Sequence, residues 1–127
     1  MAKPWVHAQS SARRFGGEAE DYLELHNHID STKSAFADNR HRAMTHNAWY
    51  IGPGGPLEMA FGATLTNRDG KQVSVRAIAE QHVMEDFGGF IPTLQDFLCE
   101  MEFQPWMNGQ GEPPSRAKTM KRVVVSD

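Results

Sequence analysis

Six histidines in 127 residues carry most of the chemistry legible in this chain. Three of them stand near an acid at a spacing that puts both on one helix face: His26 with Asp30, His82 with Asp86, and His41 with Asp38. Imidazole nitrogens and carboxylate oxygens together suit Zn2+, Mn2+ or Fe2+ better than a soft, thiophilic ion. The candidate ligands of a divalent metal are therefore His26, Asp30, His41, His82 and Asp86, with His7 and His46 as residues that would complete the set. Glu85 and Asp86 are the candidate bases for a metal-bound water. Arg13, Arg14 and Arg42 are the candidate cations for a phosphate or other anion.

Helical periodicity sorts these residues by face. On a helix through Tyr22, Leu25 and Ile29, His26 and Asp30 fall inside the apolar arc, and His28 points to solvent. A buried carboxylate is costly unless it is paired or metal-bound, so His26 and Asp30 are equally well read as a hydrogen bond closing a bundle or as part of a site. Further on, Ile78, His82 and Asp86 form one ridge, away from the stripe of Val83, Met84 and Phe87. Either that helix is covered on two sides, or the ridge lines a cleft, or the pair is an ordinary surface contact. His41 borders an apolar stripe of Ala37, Met44, Ala48 and Ile51, whereas His46 falls on another side of the same helix, beside Arg42. One regular helix does not aim both at one ion, and His41 is the preferred ligand. Alternatively the face with Arg40, Arg42 and His46 holds an anion.

The elements that must position these groups are mostly helical. Residues 1–17, with Ser10-Ser11 and Gly16-Gly17, read as an irregular arm that packs Trp5 and Phe15 on the rest. Helices are expected over 18–35, 37–50 and 77–87, the last stopped by Gly88-Gly89. A single turn is expected at 57–61, and a short helix opens at Thr93 and runs to about Met101. Alternating residues 63–66 and 72–75 around Asn67-Arg68-Asp69-Gly70 predict a β-hairpin. The expected fold is α+β and predominantly helical, three to four packed helices with a small hairpin. Residues 1–103 are read as a single globular domain. Residues 104–127 are read as a linker and tail, whose Val123-Val124-Val125 could add an edge strand.

Composition narrows the function classes. A net charge of −3 and a pI near 6.0 give no global footprint for nucleic acid. No apolar run approaches the roughly 20 residues of a membrane span, and none has the form of a signal peptide. The lone Cys99 excludes an internal disulfide and fits a reducing cytoplasm, the expected location, in a bacterium or a phage-infected host. Neither a P-loop nor a dinucleotide fingerprint is present.

Three strings add a resemblance: residues 7–17 (HAQSSARRFGG), residues 36–43 (FADNRHRA) with His46, and residues 80–89 (EQHVMEDFGG) followed by Ile91-Pro92-Thr93. Over roughly residues 4–103 the chain resembles a small uncharacterised family of bacterial and phage proteins, a domain of unknown function. The resemblance implies no reaction. It implies that His7, His41, His46 and His82 belong to one shared feature, and that the 52–56 loop and the tail are particular to this chain. The string His26-Asn27-His28-Ile29-Asp30 has the H-x-H-x-D of metallo-β-lactamase-type hydrolases, but Ser31 stands where their next histidine belongs, and no strand precedes it.

Two functions follow. One is a divalent-metal-binding helical domain, in its sharpest form a metal-dependent phosphohydrolase of a small phosphorylated ligand, although the adjacent His-Asp doublet of helical phosphohydrolases is absent. The other is a non-enzymatic bacterial or phage interaction protein, an inhibitor or accessory factor with a protein partner. It would use exposed aromatics such as Trp49 and Trp106, and its histidines would be structural.

Overall fold

A computed structural model describes residues 3–116; the Val123–Val125 triplet lies outside the described residues. Helix α1 (Pro4–Phe15) occupies the stretch expected to be irregular. Pro4 supplies a φ already suited to a first helical turn, and Gly16 and Gly17, at φ 88° and 72°, end the helix. His7, Ala8 and Ser11 form its buried face, while Trp5 stays 41% exposed rather than packing on the core.

Helix α2 (Glu20–Asp30) is shorter than the expected 18–35. The remainder, Ser31–Ser34, is a 3-10 turn. The cause is local: Ser31 Oγ donates to the His28 carbonyl at 2.7 Å, and Ser34 Oγ to the Ser31 carbonyl at 2.9 Å. Such side-chain bonds compete with continuation of the helix.

The expected helix over 37–50 is broken in three. Asp38 caps a 3-10 turn Asn39–His41, α3 follows (Arg42–Thr45), and α4 (Ala48–Ile51) starts afresh. Asn47 makes the break: its Oδ1 accepts the Tyr50 amide at 2.8 Å, and its Nδ2 donates to the Ala43 carbonyl at 2.8 Å. The supposed stripe along this segment therefore disperses, with Met44 and Ala48 exposed and Ile51 buried. Helix α5 (Pro56–Phe61) again opens on a proline.

Strands β1 (Thr64–Thr66) and β2 (Gln72–Ser74) pair antiparallel, Leu65 opposite Val73, giving the predicted hairpin. Its turn is tied down by Asn67. The Asn67 Oδ1 accepts the Asp69 and Lys71 amides, and its Nδ2 donates to the Tyr22 hydroxyl at 3.2 Å and the Phe15 carbonyl at 3.4 Å. Helix α6 (Val75–Phe87) is capped by Ser74, whose Oγ accepts the Ala77 amide, and ends at left-handed Gly88. Its buried residues include both Val83 and His82, so this helix is covered on two sides. Helix α7 (Leu94–Leu98) starts from a Thr93–Asp96 capping box, and a 3-10 turn Pro105–Asn108 follows in the stretch read as linker.

The core joins α1, α2 and α6 through Ala8, Tyr22, Leu25, Ile29, Ile78, Ala79 and Val83, with Ile51 and Leu57 closing it from α4 and α5. Into the same interior project five histidines, His7, His26, His41, His46 and His82, each 0% exposed. The fold is thus predominantly helical α+β, with its polar centre inside the bundle.

Candidate metal centre

Three elements supply four side chains to one point. Asp30 comes from the last residue of α2, His46 from the break after α3, and His82 and Asp86 from successive turns of α6. One ligand atom from each lies within 4.8 Å of the others. His46 Nε2 is 3.3 Å from Asp30 Oδ1 and 3.0 Å from Asp86 Oδ2, and His82 Nε2 is 3.2 Å from each. An ion with four tetrahedral ligands at 2.0–2.1 Å separates neighbouring ligand atoms by roughly 3.3 Å. The four nitrogen–oxygen edges match that spacing.

Hydrogen-bond partners fix which ring nitrogens carry protons. Gln81 Nε2 faces two acceptors, the His7 carbonyl at 3.2 Å and Glu85 Oε1 at 2.8 Å, so the amide oxygen points the other way. That oxygen accepts the Ser11 hydroxyl at 2.6 Å. With its proton so used, Ser11 Oγ accepts from His26 Nε2 at 2.7 Å. His26 Nδ1 is then a bare lone pair and accepts from His82 Nδ1 at 2.8 Å. For His46, the Thr45 hydroxyl donates to the Ile29 carbonyl at 2.7 Å and so accepts from His46 Nδ1 at 2.9 Å. Both outer ring protons are committed. In the singly protonated rings, His46 and His82 each turn an Nε2 lone pair toward two carboxylates.

Such an array is repulsive unless positive charge lies between its members: either extra protons on both rings or one divalent cation. Burial works against charge on Asp30 and Asp86; with protons on the facing nitrogens of His46 and His82, and with His7 for Asp86, these contacts outweigh it and hold both carboxyls well below the usual range. Two carboxylates and a divalent ion also cancel in charge, which lowers the cost of burying them.

Of the sequence-derived candidates, Asp30, His82 and Asp86 meet here, joined by His46. His46, rather than the preferred His41, is the residue of this segment that reaches the cluster; it caps the C-terminus of α3, and Asn47 starts the next helix immediately after it. His26 lies behind His82 and does not touch the carboxylates; burial, then the charges of His82 and His7, lower its pKa to about 3. His7 contacts Asp86 Oδ1 at 3.1 Å through Nε2 and Glu85 Oε1 at 2.8 Å through Nδ1. Burial lowers its pKa, but the hydrogen bonds it donates to Asp86 and Glu85, and their charges, prevail and leave it raised.

His41 is outside the group. Its Nδ1 bonds Thr32 Oγ1 at 2.8 Å, its buried Nε2 has no hydrogen-bond partner among the described residues, and its ring is 5.7 Å from that of His46. Asp38, which shares its spacing, binds Arg40 instead, with Nη2 2.7 Å from Oδ2. His28, expected in solvent, is half-buried: Nε2 is 2.7 Å from the Tyr50 hydroxyl, and its ring meets the Phe61 edge. The candidate anion cations do not form one cradle. Arg13 and Arg14 are exposed on the last turn of α1, while Arg42 is buried, its Nη2 3.7 Å from Asp86 and its guanidinium over the Phe87 ring. Glu85 has both oxygens occupied, by His7 and Gln81 on one and by Ser10 on the other.

The fold and this cluster together define a small helical domain with a buried two-histidine, two-aspartate centre. A family model described as "Domain of unknown function (DUF6915)" matches residues 2–107, and the chain belongs to that family. Comparison with curated proteins and with solved structures gives no match. No helix among the described residues is long and apolar enough to cross a membrane.

Proposed function

We propose that this chain is a divalent-metal-binding domain in which Asp30, His46, His82 and Asp86 hold one ion, Zn2+ before Mn2+ or Fe2+, in a structural role. One observation carries the proposal: His46 and His82 turn Nε2 toward Asp30 and Asp86 at 3.0–3.3 Å while their Nδ1 protons are committed to Thr45 and His26. Four protein ligands close a tetrahedral zinc site. Mn2+ and Fe2+ ordinarily add further oxygen or water ligands, and the side chains here are 0–8% exposed.

A phosphohydrolase acting on a phosphorylated small molecule would need an open coordination position and an arginine free to meet the phosphate. With four ligands filled and Arg42 leaning on Asp86, the ion serves the fold instead. The protein is then an interaction module stiffened by metal, and its exposed Trp49 and Trp106 are available to a protein partner.

Elemental analysis of tag-free protein tests the metal assignment. The expected result is one equivalent of zinc per chain, lost in His82→Ala and His46→Ala. Purified protein that neither carries a metal nor takes up Zn2+ at micromolar concentration would sink it.

A further inference from the structure

Helix α1 contributes no ligand to the four-residue cluster, yet two of its fully buried side chains, His7 and Ser11, stand one turn apart against α6 and α2. Traced from His82, the hydrogen bonds run through His26 to Ser11, from Ser11 to Gln81, and from the Gln81 amide nitrogen to Glu85. Glu85 Oε1 then meets His7 Nδ1 at 2.8 Å, and His7 Nε2 meets Asp86 Oδ1 at 3.1 Å. Asp86 is itself in the cluster. The chain of contacts thus leaves one ligand and returns to another as a closed ring.

Every link in that ring has one sense. Both His7 nitrogens face carboxylate oxygens, so both donate. Gln81 is oriented by two acceptors on its nitrogen side. Ser11 passes the consequence to His26, and His26 obliges His82 to carry its proton on Nδ1. Without Ser11, nothing holds the His26 proton on Nε2. A His26 that moved its proton to Nδ1 would require His82 to accept there, putting the His82 proton on Nε2, where it competes with a cation. At the other end His7 engages the Asp86 oxygen that faces away from the cluster and so orients its partner Oδ2 inward.

We propose that α1 is the outer sphere of the metal centre: Ser11 and His7 are positioning residues that fix the coordinating states of His82 and Asp86. This rests on the metal-binding function proposed above. Residues that hold ligands in this way commonly change metal affinity by about 10–100-fold when removed. It also gives the buried polar face of α1 a purpose that core packing alone does not, since an alanine at position 11 would satisfy packing with fewer obligations.

The test uses the full chain, with Zn2+ affinity measured by chelator competition and Co2+ as a spectroscopic probe. Ser11→Ala and His7→Gln remove one link each. Ala12→Gly loosens the same helix without touching the ring and reports what mere destabilisation does. The expected result is affinity weakened about 10–100-fold in S11A and H7Q, with an altered Co2+ absorption envelope, and little change in A12G. Either of the first two alone suffices if the other does not fold. Affinities within about threefold of wild type and unchanged Co2+ spectra in S11A and H7Q would overturn the proposal, as would an equal loss in A12G. Wild-type protein that binds neither ion fails the metal assignment itself, an outcome separate from wild-type binding that the ring variants leave unmoved.

Discussion

At the scale of residues, this interior is unusual in filling a small helical core with imidazole. His7, His26, His41, His46 and His82 take volume that aliphatic side chains would normally fill, and each then needs partners for two nitrogens. His26 makes the cost measurable. Its ordinary pKa is 6.5, and burial, with the charges of His82 and His7, lowers it to about 3 in the folded chain. Above pH 6.5 His26 is neutral folded or unfolded. Below it the unfolded chain takes up a proton that the folded chain refuses, so stability falls progressively until pH approaches 3. His7, whose pKa is raised, works the other way: its contribution is complete below 6.5 and is lost only as pH rises through its raised value. Metal-free protein should therefore lose about 2 kcal/mol between pH 6.5 and pH 5 from His26 alone. Urea titrations at the two pH values, with His26→Asn for comparison, check this. An equally steep loss in the variant would assign the pH dependence to other groups.

At the scale of elements, the hairpin is less a sheet than a brace. Its strands are three residues each, too short to stand alone, and its turn is pinned to the α1–α2 corner by Asn67. Gly17 is part of that joint: it sits at φ 72°, and a Cβ there would lie 2.5 Å from an Asp21 carboxylate oxygen and 3.0 Å from Asn67 Cβ. The Asn67 side chain is buried, at 4% residue exposure, and makes four hydrogen bonds, so Asn67→Ala removes the ties between the hairpin turn and the α1–α2 corner together with those that shape the turn. The expected cost is about 2–3 kcal/mol, read as a lower denaturation midpoint with an unchanged denaturant slope. A shift under 0.5 kcal/mol, the roughly neutral range of surface changes, would show that the corner is held by something else.

At the scale of the whole molecule, the four-residue His/Asp cluster brings the end of α2 and the segment after α3 against α6, elements that lie far apart in sequence, and the proposed ion would tie them together. A ligand that binds only the folded state stabilises it by mass action, about 2.7 kcal/mol at a free concentration 100 times Kd. For a chain of this size that corresponds to a rise in Tm on the order of 10 °C or more. Calorimetry of metal-free protein with and without excess Zn2+ should show this rise and its reversal by chelator. A Tm indifferent to Zn2+ would count against a structural ion. We also propose residues 1–103 as the folding unit.

The α6 helix, the hairpin and the general helical character were legible in the sequence because their determinants are local. Ser74 and Gly88 bound one helix, and strand alternation flanks a turn of Asn, Arg, Asp and Gly. The pairing of His82 with Asp86 was legible for the same reason, since four residues on a helix fix a face. Helix α1 was not, although Pro4 and the Gly16-Gly17 stop were there to be read, because its buried face carries His7 and Ser11 where periodicity looks for apolar residues. Nor was the meeting of His46 with Asp30 and Asp86, which depends on where the end of α3 lies against α2 and α6. Residue types and local spacing determined that imidazoles and carboxylates would share faces. Which of them meet was decided only in three dimensions, because convergence depends on how separate helices pack.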